Sequence, residues 1–121
     1  MNQALKKVEQ RYSLEEEAYL QERRLISENE EELFQHKSQF IHSLDELGER
    51  ANVYLRDYFE DTNDLHQVFH LIEVAKEEVV SICQKEQQKL DYRMEVIKQD
   101  HQKNQLRYEE EIWGIGNEAS C

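Results

Sequence analysis

Residues 5–54 read LKKVEQRYSLEEEAYLQERRLISENEEELFQHKSQFIHSLDELGERANVY and carry a large apolar or aromatic side chain at every seventh position. This heptad line consists of Leu5, Tyr12, Tyr19, Ile26, Leu33, Phe40, Leu47 and Tyr54. A strict seven-residue repeat is typical of a helix that winds gently around a second helix, as in a coiled coil. We therefore predict one long helix in the first half of the chain, with the heptad line packed against another helix.

The composition favours a fold made of helices alone. The 121 residues include no proline and only three glycines, so the residues that usually form loops and β-turns are scarce. Charged residues make up 35% of the chain and hydrophobic residues 38%, a balance that suits long helices exposed to solvent. We expect an all-α, single-domain chain that folds as a long antiparallel two-helix hairpin resembling a coiled coil.

One polar segment divides the chain into two helices. Residues 60–64 bring together short polar side chains that favour turns and helix caps. Asp64 is followed three residues later by Gln67, which is the spacing of a capping box and places a helix start at Leu65. The predicted elements are helix one over about 2–60, a turn at 61–64, helix two over about 65–113 and a flexible tail at 114–121.

Helix two has an apolar stripe of its own, and helix one contains a glycine. The stripe follows steps of three and four residues, and its members are Leu65, Phe69, Ile72, Ala75, Val79, Cys83, Leu90, Met94, Ile97, His101, Tyr108 and Ile112. Glycine inside a helix costs about 1 kcal/mol relative to alanine. Because the heptad line passes Gly48 without a shift, we interpret Gly48 as a bend or a close approach of two helices rather than as a loop.

The apolar residues concentrate in the half of the hairpin nearest the turn. They account for 23 of the 51 residues at 33–83, but for only nine of 28 at 5–32 and nine of 30 at 84–113. At the open end the companions of the heptad line are polar, for example Glu15 and Glu16, so we expect this end to be underpacked. Near the turn the apolar face is wider than one helix can cover, so we expect a partner or dimerisation to complete the fold.

These two expectations select the candidate partner-binding residues. The underpacked end contributes Tyr12, Tyr19 and Ile26, and the positions next to the heptad line contribute Phe34 and Ile41. Leu71 and Val80 widen the apolar face of helix two, and Trp113 is the lone tryptophan near the chain end.

The charge of the chain limits its partners. The formal net charge is −12, and no basic cluster is present to neutralise phosphates, so nucleic acid and anionic membranes are poor candidates. The sequence also has no apolar run long enough for a Sec signal or a membrane span. Cys83 and Cys121 fit a reducing compartment. We expect a cytoplasmic protein without membrane insertion.

Sequence motifs for chemistry are nearly absent. His66, His70 and Glu73 share roughly one helix face and form the one candidate metal site, but this spacing is common in solvated helices. The acidic clusters are most simply solvated helix faces, and neither a phosphate loop nor zinc-type cysteine spacing occurs. We expect a protein that is not an enzyme, with no cofactor and no metal.

The proline-free, acidic pair of long helices at 2–113 resembles the WXG-type small helical proteins of type VII secretion. It is more particularly similar to the small partner proteins encoded beside LXG toxins in Gram-positive bacteria. The chain carries Trp113-Gly114 near its end, whereas the family has a Trp-x-Gly motif in the turn. The resemblance implies a non-catalytic adaptor, or targeting chaperone, that binds the helical N-terminal domain of a toxin, often beside a second small helical protein, and promotes its export.

The alternative is a self-associating structural coiled coil, in which two hairpins pair as a four-helix bundle, as in a scaffold or an export apparatus. A third hypothesis, a helical carrier of a metal or haem, depends on the histidines considered above. The adaptor hypothesis also allows the chain to leave the cell together with its partner, without a Sec signal.

Overall fold

The chain is all-α, as the composition predicts. The computed structural model describes residues 2–58 and 62–120, and within these ranges it contains two α-helices and no strand. Helix α1 spans Asn2–Leu55 and helix α2 spans Thr62–Ser120. Two helices of 54 and 59 residues therefore account for nearly all of the described chain.

The connection between the helices is displaced towards the N-terminus from its predicted position. Helix α1 ends at Leu55 rather than near residue 60, and residues 56–58 form a turn in which the Tyr58 N–H donates to the Leu55 carbonyl oxygen at 3.0 Å. Helix α2 begins at Thr62, so the predicted turn at 61–64 is wrong for 62–64; residues 59–61 lie outside the described residues. Short polar residues favour both turns and helix N-termini, and Asp64 lies in the positive first turn of α2.

The C-terminal end is helical as well, so the predicted flexible tail at 114–121 is wrong for 114–120. No described glycine has a positive φ angle, and Gly114 is therefore not a left-handed helix cap. Two glycines without a proline impose a cost of only about 1 kcal/mol each, which does not stop a long helix. Ile112 and Ile115 are half-buried and extend the inward-facing spacing of α2 through this segment.

The chain divides into two compact units, each of which contains a segment of both helices. Unit 1 comprises Met1–Glu28 and Leu90–Cys121, and unit 2 comprises Asn29–Lys89. In unit 1, contacts pair Tyr12 with Tyr108 and Tyr19 with His101, so the partner number falls as the first number rises. In unit 2 the α1 residues around 45–48 lie beside 72–76 in the same sense. The helices are antiparallel in both units.

The heptad line faces α2 in unit 1 but leaves that position in unit 2. Ile26 is fully buried, and Leu5, Tyr12 and Tyr19 are half-buried. In unit 2 the line becomes exposed at three members: Phe40 (60% exposed), Leu47 (53%) and Tyr54 (68%). The residues that are buried or half-buried in their place are Ile41, Leu44, Gly48, Ala51 and Leu55. The expectation that the whole line packs against a helix is therefore wrong beyond Leu33.

The heptad line becomes exposed in unit 2 because the heptad repeat does not match the α-helical turn. Without full supercoiling, a residue line with a period of seven rotates by about 20° per heptad around an α-helix. Leu5 and Phe40 are five heptads apart, so the accumulated rotation is about 100°, the angle between successive residues. Ile41 consequently takes the inward position instead of Phe40. The inward positions Leu33, Lys37 and Ile41 are spaced by four residues twice in succession, which corresponds to a stutter in a coiled coil.

The apolar stripe predicted for helix two is confirmed, because all twelve of its members are buried or half-buried. Ile72 (8% exposed) and Leu90 (9%) belong to the small set of buried side chains of the described residues. This stripe uses mixed steps of three and four residues, so it follows the 3.6-residue turn closely and does not drift.

Gly48 is inside α1 and is not a loop, which confirms the interpretation as a close approach of two helices. A Cβ atom at Gly48 would lie 3.8 Å from Cδ1 of Ile72, an ordinary van der Waals distance. The two helices are therefore close here, but the space still accommodates a methyl group.

We predict that Gly48→Ala stabilises the protein by about 1 kcal/mol, because it removes the helical cost of glycine and adds a contact with Ile72. Chemical denaturation followed by circular dichroism measures the change. Gly114→Ala is the matched control, since a Cβ there meets nothing within 4 Å and gains helical propensity alone. A lower free energy of unfolding for Gly48→Ala would show that the helices are closer than described.

Candidate functional site

An apolar surface lies along one side of the helix pair in unit 2. It consists of five large side chains that are each between 53% and 68% exposed, namely Phe40, Leu47, Tyr54, Leu71 and Ile82. The first three belong to α1 and occupy the same helix face at seven-residue spacing, while the last two belong to α2. We call this surface the side face.

The side face contains a groove between the two helices. The groove has a volume of about 550 Å³, and its apolar walls are formed by Phe40, Leu44 and Leu47 of α1 and by Ala75, Val79 and Ile82 of α2. Tyr54 is two turns beyond Leu47, and Leu71 is one turn before Ala75, so both extend the apolar surface at the end nearest the turn. Ser43, Glu46, Arg50 and Glu78 complete the lining.

The opposite side of unit 2 has a groove with a different character. It has a volume of about 500 Å³; Leu44, Gly48, Phe69 and Ile72 provide its apolar part, and Asp45, Glu49, Asn52, Glu73 and Lys76 provide its polar part. The Lys76 ammonium forms an ion pair with Asp45 across the helices and a second one with Glu73 at 3.2 Å. Both hydrogen bonds, that of Asp45 first, raise the pKa of Lys76 above its ordinary value. An ion-paired ammonium thus bridges the helices here, whereas the side face is mainly apolar.

Unit 1 is held by a polar and aromatic contact layer, which we call the polar seam. The rings of Tyr12 and Tyr108 stack with centroids 4.1 Å apart, and those of Tyr19 and His101 stack at 3.9 Å. Between these pairs, Oε1 of Glu16 accepts hydrogen bonds from the Tyr12 hydroxyl and from Nε2 of His101, each at 2.6 Å. The polar seam therefore connects α1 to α2 through both stacking and charge-assisted hydrogen bonding.

The hydrogen bonds in the polar seam shift two pKa values in opposite directions. Donation from Tyr12, and then from His101, lowers the pKa of Glu16 below its ordinary value of 4.5. The same bond to Glu16 raises the pKa of Tyr12 above its ordinary value of 10.0. Both shifts preserve the arrangement at neutral pH, with a charged carboxylate as acceptor and a protonated phenol as donor.

Ion pairs flank the polar seam. Nη2 of Arg107 donates to Glu15 at 2.6 Å, and Arg11 is paired with Glu111 on the other helix. A cavity of about 210 Å³ lies beside Tyr19 and His101, at the level of Glu22. The polar companions Glu15 and Glu16 are not without contacts, because both carboxylates bind groups of α2. The expectation that this end is weakly held stays a prediction. Helical spacing alone does not show which side chains pair across a seam.

The eight predicted partner-binding residues occupy three kinds of position. Tyr12, Tyr19 and Ile26 are engaged between the helices of unit 1, while Ile41 and Val80 are half-buried. The remaining three are largely exposed: Phe34 (69%), Leu71 (67%) and Trp113 (71%). Leu71 belongs to the side face. The contribution of all eight to partner binding stays a prediction.

The sequence reasoning missed four members of the side face. The heptad line predicts Phe40, Leu47 and Tyr54 inside the hairpin, and Ile82 is not among the predicted partner-binding residues. The signal that could have found them is the rotation of a seven-residue line around a helix with 3.6 residues per turn. After five heptads this rotation reaches about 100°, the angle between successive residues of the helix.

The described residues form neither a metal-ligand cluster nor a membrane-spanning helix. Among residues 2–58 and 62–120, no three His, Cys, Asp or Glu side chains converge as metal ligands, and His66, His70 and Glu73 do not form such a group. Neither helix, over its described residues, is long and apolar enough to cross a membrane. The thiol of Cys83 is free and half-buried.

No family model, curated protein or solved structure matches the chain.

We predict that the exposed and the buried members of the apolar pattern respond differently to substitution. Phe40→Ser and Leu47→Ser should each change the free energy of unfolding by about 0.5 kcal/mol or less, because both side chains are mostly in solvent. Ile72→Ala should cost about 2 kcal/mol or more, because this side chain is buried between the helices. Thermal and chemical unfolding measure both. A large loss for Leu47→Ser would place Leu47 inside the hairpin.

We predict that Glu16 stabilises the fold in a pH-dependent way. Because its pKa is lowered on folding, its contribution is fully present above pH 4.5 and is lost as the pH falls through the folded-state value. At pH 7, Glu16→Gln should therefore be less stable than the wild type by about 1 kcal/mol. The difference should shrink as the pH falls below 4.5, towards the lowered folded-state pKa of Glu16.

Thermal melts across this pH range check the prediction about Glu16. Glu17→Gln is the control, because it removes the same charge from the adjacent, exposed position. An equal pH response in the two variants would contradict a specific role of the polar seam.

Proposed function

We propose that the protein is a non-catalytic helical adaptor that binds a helix of another protein along the side face of unit 2. The observation that supports the proposal is the exposure of Phe40, Leu47 and Ile82 around one groove, which Tyr54 and Leu71 extend by helical spacing. Large apolar patches on monomeric proteins usually mark sites of interaction with other proteins. The side face combines aromatic with aliphatic side chains, a composition common in binding hot spots.

The shape of the side face suits a helix as the bound element. The groove of about 550 Å³ runs between two antiparallel helices, with Phe40 and Leu47 on one wall and Ile82 on the other. A third helix can insert one apolar ridge into such a groove, as amphipathic helices do in helix-in-groove recognition. A partner with a helical hairpin would complete a four-helix bundle with unit 2.

The specific role that we propose is targeting of a secreted toxin. The partner would be the helical N-terminal domain of an LXG-type toxin, bound either alone or together with a second small helical protein. The support for this step is the resemblance of the proline-free, acidic pair of long helices to the small partner proteins of type VII secretion. In this proposal the adaptor acts in the cytoplasm, shields the toxin helices from water and presents the complex for export.

The alternative function is a self-associating structural protein. The side face includes residues of both helices, so two copies related by a twofold axis could bury it against itself as a four-helix bundle. The two functions differ in what covers the side face, which is a different chain in the first case and a second copy in the other.

Co-expression with each protein encoded by a neighbouring gene tests the proposal. We expect the chain to co-purify with a helical toxin domain at a fixed stoichiometry, measured by size-exclusion chromatography with light scattering. The double substitution Phe40→Ser/Leu47→Ser should weaken this complex by at least about tenfold, since loss of two hot-spot side chains costs more than 1.4 kcal/mol.

Leu14→Ser/Leu20→Ser is the matched control for this experiment. Both residues are apolar and more than half exposed, but they belong to unit 1 and not to the side face. The proposal predicts unchanged binding for this variant. A stable homodimer at micromolar concentration that binds no neighbouring gene product, and that Phe40→Ser/Leu47→Ser dissociates, would contradict the adaptor function and favour the alternative.

A further inference from the structure

We infer that the helix bound on the side face belongs to a different chain and carries Lys or Arg residues on both flanks of its apolar ridge. The inference rests on the proposed adaptor function and specifies the chemistry of the partner. It combines the apolar groove of unit 2 with the distribution of charge around it.

The excess negative charge of the chain lies mainly in unit 2, the unit that contains the side face. Residues 29–89, which form unit 2, contain 14 Asp or Glu against six Lys or Arg. The residues of unit 1 contain 13 against nine. Unit 2 therefore carries a formal charge of −8 and unit 1 a charge of −4, although the two units are of nearly equal length.

Both edges of the groove carry a carboxylate. Glu46 of α1 and Glu78 of α2 are exposed and line the groove from opposite helices. Arg50 supplies the one Lys or Arg among the described residues that line it. Lys76 lines the opposite groove, where Asp45 and Glu73 already pair with its ammonium group. On α1, Glu46 is also paired with His42 at 3.1 Å, and Arg50 lies one turn further along the helix. A helix in the side-face groove would thus have one carboxylate on each flank, Glu46 on α1 and Glu78 on α2.

The charge pattern distinguishes the two occupants that the apolar groove alone allows. A second copy of unit 2 would bring a second formal charge of −8 into the complex and a second pair of groove carboxylates, and like charges oppose association. An amphipathic helix with a basic residue on each flank would instead face Glu46 on one side and Glu78 on the other. Such complementary rim charges act mainly on the association rate and on specificity, and their effect decreases with added salt.

Two designed helical peptides test the inference with the full chain. Both have the same ridge of leucines, but one carries lysines on both flanks and the other carries glutamates at the same positions. Fluorescence anisotropy at low and at moderate ionic strength measures their affinities. We expect the lysine peptide to bind at least about tenfold more tightly than the glutamate peptide, with an advantage that decreases as salt is added.

Charge variants test whether the preference for the lysine peptide comes from the carboxylates at the groove edges. Glu46→Gln/Glu78→Gln should weaken binding of the lysine peptide by about three- to tenfold, within the range of exposed charge pairs. Glu109→Gln/Glu110→Gln removes the same charge from exposed positions of unit 1 and should leave the affinity unchanged. Phe40→Ser/Leu47→Ser should abolish binding, because the ridge loses its apolar contacts.

Three results would overturn the inference. Equal affinity of the two peptides, lost on Phe40→Ser/Leu47→Ser, would reject the basic partner and leave the side face as a docking site. An equal loss in both charge variants would mean that the peptide responds to net charge and not to the groove edges. If neither peptide binds, the basic-flanked helix is rejected as the ligand. The adaptor function is tested separately, by co-purification with the proteins of neighbouring genes.

Discussion

The structure depends on a small geometrical mismatch in α1. A line of residues spaced by seven has a period of 3.5 residues per turn, whereas the α-helix has 3.6, and only full supercoiling removes the difference. In unit 2 the difference is relieved by two successive four-residue steps, from Leu33 to Ile41. Ile41 and Leu44 then pack inward and release Phe40 and Leu47 to the surface. The apolar side face of unit 2 is the direct consequence.

The two units hold their helices together through different kinds of contact. Unit 1 contains few apolar residues, and it aligns its helices through the polar seam, in which the Glu16 carboxylate receives two hydrogen bonds between two pairs of stacked rings. Unit 2 has more apolar residues than its inner face uses and exposes the remainder. The polar seam thus aligns the two helices within unit 1, whereas unit 2, which carries most of the net charge, exposes the surface on which we propose that a partner binds.

Much of the fold followed from sequence pattern, because composition and helical spacing are local properties. The all-α class, the stripe of α2 and the helical state of Gly48 were predicted correctly. Helix ends were not, since residues such as Asn63 and Asp64 favour both turns and the first turn of a helix. The side face was missed because the unbroken heptad line was interpreted as a fully supercoiled helix, in which the line does not rotate, whereas without full supercoiling it rotates by about 20° per heptad. The pairing of Glu16 with His101 was missed because it depends on the alignment of residues that are 85 positions apart.

In unit 2 the helices pack through the positions next to the heptad line, which leaves Phe40, Leu47 and Tyr54 of that line exposed. Hydroxyl-radical footprinting of the free protein at low micromolar concentration, read residue by residue by mass spectrometry, tests this arrangement. Leu47 and Leu44 are the same residue type three positions apart, and the exposed Leu47 should be oxidised several-fold faster than the half-buried Leu44. Equal protection of the two, or stronger protection of Leu47, would place the heptad line inside the hairpin and contradict the account.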